Sequence, residues 1–135
     1  MNLALAGARA SVRAAAVLSP RWAAAVAMPL FGSVAKPRPV QGDDEPTMLR
    51  ARPRTVRIAG IDRRGVDVDT YEWGDGPRTV VLSHGWNGRA SQFSVLVREL
   101  VAEGCRVVSF DAPAHGGSGG RRTYLVDWLA VFAAL

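Results

Sequence analysis

Two histidines, an aspartate and a glycine-flanked serine are the residues of this chain whose types and spacing could do chemistry. His84 closes the stretch TVVLSHGW (residues 79–86) and is followed at once by Gly85 and Trp86. Asp111, His115, Gly116 and Ser118 share the stretch DAPAHGGSGG (residues 111–120). A serine hydroxyl becomes a useful nucleophile only when a positioned base takes its proton, so serine and histidine together raise acyl transfer. That chemistry also needs backbone amides aimed at the charge that develops on the carbonyl oxygen, and losing one such donor typically costs about 3–4 kcal/mol. A strand that ends in glycine can turn sharply and let a substrate come close. Cys105, the one cysteine, opens an apolar strand and has no histidine near it in sequence, so it reads as a core thiol with no disulfide or metal cluster to join.

The elements that must position these residues follow from the hydrophobic pattern. TVRIAG alternates as a short strand does, and GVDVDTYEW alternates as well, with Val66, Val68, Thr70 and Glu72 on one face. WGDGP between them and the next apolar run is a turn. TVVLS runs apolar without alternation, as a strand covered on both faces does. Ser91 is placed to cap a helix whose Phe93, Leu96, Val97, Leu100 and Val101 form one stripe, and Gly104 is placed to end it. CRVVSF is a further strand. Thr123 is placed to cap a last helix with Leu125, Trp128, Leu129 and Phe132 on one side. Residues 79–110 thus read as strand, helix, strand, a parallel βαβ unit.

Charge divides the chain. Residues 1–38 hold five basic residues and no acid, whereas the remainder holds 12 of each sign. The basic residues are scattered among alanines with no aromatic interleaving, which argues against nucleic acid as a partner. Residues 1–35 are expected to form a basic, Ala-rich helical extension, with a targeting segment as the alternative. Pro20, Arg21 and Pro29 interrupt its apolar run, which falls short of the ~20 residues that a membrane-spanning helix needs. Residues 36–53, with four prolines and no periodicity, read as a linker, and the domain begins at residue 54. The expected location is the cytoplasm. Peripheral membrane contact through the N-terminal segment and export by it stay open.

A dinucleotide site on the βαβ unit is a weaker reading. Gly85-Trp86-Asn87-Gly88 lacks the paired glycines of that fingerprint, Asp111 after the next strand is a weak signal alone, and no P-loop lysine is present.

VVLSHGWNG followed one helix later by VVSFDAPAHGGSGG resembles the α/β-hydrolase family over residues 54–135. The resemblance implies an α/β fold with a mostly parallel sheet, truncated here after about four strands and the helices called A and B. It implies hydrolysis of an ester, amide or thioester by a serine nucleophile with an oxyanion hole, no cofactor and no metal, and a small acyl substrate for the full-length form. It assigns the Trp86 N–H as an oxyanion donor, Gly85 to the oxyanion turn and His84 to bracing the loop. Asp111, His115, Gly116 and Ser118 become loop scaffolding. Gly116-Gly117-Ser118-Gly119-Gly120 matches the nucleophile pattern G-x-S-x-G, yet it reads as a decoy. The strand before it ends too early, Arg121-Arg122-Thr123 separates it from the next helix, and no histidine follows Ser118 as the triad order requires. The nucleophile, acid and histidine are therefore expected beyond residue 135, so the chain alone is expected to be inactive. A catalytically dead, non-enzymatic protein is the opposing reading. With no fifth strand beside it, TVVLS is expected to be an exposed apolar edge.

Overall fold

A computed structural model describes residues 3–61 and 64–135. The chain divides into two units between Ser33 and Val34.

The first unit is a pair of helices, α1 (Leu3–Leu18) and α2 (Pro20–Phe31). Ser19 separates them in an extended conformation, and its hydroxyl accepts from the Arg21 N–H at 3.2 Å. Pro20 takes the first position of α2, where its missing N–H has no helical partner to lose. The Gly32 N–H closes the helix onto the Met28 carbonyl at 2.9 Å. Within the segment expected to be a helical extension, the described residues form two helices, Leu3–Leu18 and Pro20–Phe31. Among the described residues, no helix is long and apolar enough to cross a membrane.

The second unit is a mixed four-stranded sheet with helices on both faces. Its elements are α3 (Glu45–Met48), β1 (Arg52–Ile58), β2 (Val66–Trp73), β3 (Arg78–Ser83), α4 (Ser94–Ala102), β4 (Cys105–Phe110) and α5 (Leu125–Ala134). Strand order is β1-β2-β4-β3. β1 pairs with β2 and β2 with β4 antiparallel, and β3 runs parallel to β4. Alternation along β2 and β4 sends side chains to opposite faces. One face buries Ile58, Val66, Val68 and Phe110 with Val131 of α5. The other buries Trp73, Cys105 and Val107 with Val97 of α4.

The expectations for the strands and helices hold in type and order, with four differences. TVVLS is not covered on both faces, with Val81 41% exposed, and β3 lies at the sheet's edge as the lack of a fifth strand implied. Ser91 does not cap α4: it lies in a 3-10 turn (Ala90–Phe93) that precedes the helix, and Ser94 begins the helix itself. Thr123 does not cap α5. The Asp127 carboxylate takes the Tyr124 N–H at 2.7 Å, while the Thr123 hydroxyl accepts from the Trp128 indole at 3.2 Å. Residues 36–53 are no free linker, and the sheet unit begins at Val34 rather than 54. The Thr47 carbonyl takes the buried Trp73 indole N–H at 2.8 Å, and the Arg38 carbonyl takes Arg89 at 2.6 Å. Two indole and guanidinium donors needed acceptors, and this proline-rich stretch supplies them. Gly104, at φ +74°, ends the α4 turn as expected.

Candidate functional site

Because β3 and β4 are parallel neighbours, the two chemically suggestive loops emerge side by side at their C-terminal ends. Ser83 pairs with Phe110, so His84 and Asp111 leave the sheet at the same level.

The first loop is a tight turn. The Gly88 N–H returns to the Gly85 carbonyl at 2.9 Å. Its left-handed residue is Asn87, at φ +58°, and not Gly85. The expectation that Gly85 is the residue that permits the turn is corrected on this point, since a Cβ at Gly85 would meet no atom within 4 Å. Asparagine tolerates the left-handed region, and Asn-Gly is a turn signal that was readable in the sequence. At Gly88, by contrast, a Cβ would lie 2.6 Å from the Gln92 side chain and 2.9 Å from the Gly85 carbonyl. Gly85 thus leaves space above the turn, and Trp86 beside it is 42% exposed. A cavity of about 300 Å³ opens next to the turn, lined by residues that include Arg38, Gln41, Asn87, Arg89 and Gln92.

The second loop is built around Asp111, which is fully buried. One carboxylate oxygen accepts from the Ala90 N–H at 2.7 Å. The other accepts from the Gly117 N–H at 2.8 Å and the Tyr71 hydroxyl at 3.3 Å. Arg89 stands 3.7 Å away. Burial, with the Asp111 charge adding to it, pushes the Tyr71 hydroxyl up to about 12, so it stays a donor. Tyr71, Asn87 and Arg89 were not singled out from the sequence. Nothing local marks Tyr71 or Arg89, because their partners come from other elements.

Ser118 is occupied. Its hydroxyl donates to the Asp111 carbonyl and accepts from the Asp69 N–H at 2.8 Å, which fastens the loop to β2. No imidazole touches it.

The two histidines lie between the loops with ring centroids 4.9 Å apart, and both are buried. His84 accepts the Ala112 N–H on Nε2 at 3.0 Å, and His115 accepts the Asn87 N–H on Nε2 at 3.1 Å. Burial lowers the proton affinity of both rings. Trp128 of α5 packs against both, with centroids 5.1 Å from His84 and 5.6 Å from His115. Cys105 begins β4 at the opposite end of the strand, with its sulfur 3.1 Å from the Arg78 guanidinium, and takes no part. Among the described residues, no group of three or more His, Cys, Asp or Glu side chains gathers to hold a metal.

Comparison with known proteins agrees with this architecture. Residues 75–133 match the family model described as "Serine aminopeptidase, S33". No curated protein matches the chain. Among solved structures, an epoxide hydrolase from Vigna radiata aligns with TM-score 0.53 and 22% identity, over 64% of this chain and 29% of its own. A bromoperoxidase from Bacillus anthracis aligns with TM-score 0.50 and 22% identity, over 61% and 30%. A thioesterase domain from the curacin biosynthetic pathway aligns with TM-score 0.51 and 20% identity, over 62% and 30%. The alignments thus span a little under a third of each of those chains. With its β1-β2-β4-β3 order and these likenesses, the chain carries a part of the α/β-hydrolase fold, and residues 75–133 are similar to a family of that fold.

Proposed function

We propose that this chain supplies the oxyanion arm of a serine hydrolase acting on an ester, amide or thioester. The observation that carries the reading is the open turn at Gly85–Gly88. It is tied down from beneath by two histidines and free of steric obstruction at Gly85. The Trp86 N–H is the proposed donor, because it belongs to the one turn of the site whose outer side is open. Its indole would line the acyl pocket. A preorganised amide of this kind stabilises negative charge as it develops and needs no reorganisation when the reaction occurs.

The chemistry that the arm would serve needs an activated serine. Here the Ser118 hydroxyl is engaged at both its donor and its acceptor side, and both imidazoles are engaged at both ring nitrogens. This occupancy is also what favours the non-enzymatic reading for the 135-residue chain taken alone. We place the chain in the cytoplasm, with the basic helical hairpin as the surface that would meet an anionic membrane.

A fluorophosphonate probe tests the assignment. The 135-residue chain is expected to remain unlabelled and to show no esterase turnover. Labelling at Ser118 that disappears in Ser118→Ala would overturn it and give the nucleophile to the glycine loop. If the gene continues past codon 135, a further G-x-S-x-G after an apolar strand, then an acid and a late histidine, is expected there.

A further inference from the structure

His84 and His115 stand on different loops, and each is bonded to the backbone of the other's loop. Nε2 of His84, in the first loop, takes the Ala112 N–H of the second; Nε2 of His115, in the second, takes the Asn87 N–H of the first. A ring nitrogen that accepts an amide N–H carries no proton. The single proton of each neutral ring therefore sits on Nδ1, and there each ring finds a carbonyl, Gly85 at 2.7 Å for His84 and Pro113 at 3.0 Å for His115. Both rings are thus held in one tautomer, and all four ring nitrogens are spoken for.

A proton added to either Nε2 would set an N–H against an N–H at about the same separation. The attraction that joins the loops becomes a repulsion, and the amide must move away. We propose that the histidine pair is an acid-operated latch: neutral, it clamps the turn 85–88 to the loop 111–120, and protonated, it releases that turn. The inference concerns the conformation of the turn and holds whatever reaction the turn serves.

The surroundings favour the neutral, closed state. Among the described residues, Asp111 is the one acid whose charge favours protonation of both rings, but its oxygens are already taken by the Ala90 and Gly117 amides and Tyr71. The Arg89 charge opposes protonation of His84. Each ring also opposes a charge on the other across 4.9 Å, so proton uptake belongs to the pair rather than to either residue. From α5 the neighbour is the uncharged Trp128 indole, and Asp127 is turned onto its own helix start. Phe110 and Trp86 complete the enclosure with rings that carry no charge.

The direction of the pH effect follows from linkage. Burial holds both folded rings below the ordinary value of 6.5, so as pH falls the unfolded chain takes up protons first. The latch contribution is complete above about pH 6.5, the ordinary histidine value, and is lost as pH falls below it toward the folded values.

NMR of the histidine-labelled 135-residue chain tests the proposal. At about pH 7.5 both rings are expected in the Nδ1–H form, with the Ala112 and Asn87 amides protected from exchange. As the rings take up protons in coupled steps, protection of both amides is expected to fall together by about tenfold or more, the change in equilibrium for one pH unit of linked protonation. The Val107 amide in central β4 should keep its protection. In His84→Gln and His115→Gln, an amide oxygen can accept where Nε2 did but does not titrate, so both protections should persist through the same range. Four results would overturn the latch: protection that survives ring protonation, the same acid loss in the glutamine variants, an Nε2–H tautomer at about pH 7.5, or a spectrum there without native dispersion. Should the glutamine variants fail to fold, the tautomer and the titration of the unaltered chain decide between latch and no latch.

Discussion

His84-Gly85 and His115-Gly116 are the same dipeptide at the ends of adjacent parallel strands, and the structure uses them oppositely. At Gly85 the missing side chain leaves open space, and the backbone is not left-handed. At Gly116 the backbone is left-handed, at φ +50°, and a Cβ would fall inside the Asp111 carboxylate. One glycine keeps room for something outside the chain, and the other makes room for the chain itself. Identical local letters therefore leave open space in one loop and serve packing in the other. The neighbour that decides between them is Asp111, a buried acceptor around which the second loop closes and which Ala90 and Arg89, just after the first turn, also meet.

The largest test of this contrast is Gly116→Ala. It combines an unfavourable left-handed alanine with a clash against a buried carboxylate that has no room to retreat. A loss of about 3 kcal/mol or more in urea unfolding is expected, in the range reserved for strain and broken buried networks. An effect under about 1 kcal/mol, the usual size for an ordinary site, would erase the difference between the two glycines.

Ser118→Ala should come next. It removes the hydroxyl that takes the Asp69 N–H and donates to the Asp111 carbonyl. One part-buried amide is left without its acceptor, so a loss of about 1–2 kcal/mol is expected by the same measurement. On the proposed reading, in which the hydroxyl fastens the loop, kcat in an active longer form of the protein should stay near that of the unaltered enzyme.

Gly85→Ala should have the smallest effect on stability, within about 0.5 kcal/mol, since the added methyl meets no atom and the backbone needs no rearrangement. Its consequence belongs to function. On the proposed oxyanion reading, Gly85→Val in an active longer form should lower turnover by filling the open space at the turn, with the unfolding midpoint little changed. A large loss of stability for either variant would mean that this glycine too serves the packing.

Much of this contrast lay beyond sequence reading, and the reasons are physical. The alternation of Val66, Val68 and Thr70 and the stripe through Val97 and Val101 are local periodicities, so β2 and α4 could be read directly. Asn87-Gly88 carried its turn signal in two letters. Ser91 was misplaced as a cap because a serine before an apolar stripe looks the same whether the first turn is 3-10 or α. Thr47 and Arg38 looked like linker because nothing near them in sequence shows that Trp73 and Arg89 will claim their carbonyls.

The sequence by itself determined the kinds of element and their order, the two His-Gly turns, and the likeness to an α/β hydrolase, because these rest on side-chain period and on letters a few positions apart. The tertiary structure decided that the Ser118 hydroxyl is bonded to β2 and that each histidine bonds the other's loop. These depend on contacts between residues 28 to 49 positions apart, which come together only once β3, β4 and β2 have paired in register. Register is a property of the whole sheet, so the opposite uses of Gly85 and Gly116 were set by how the strands align.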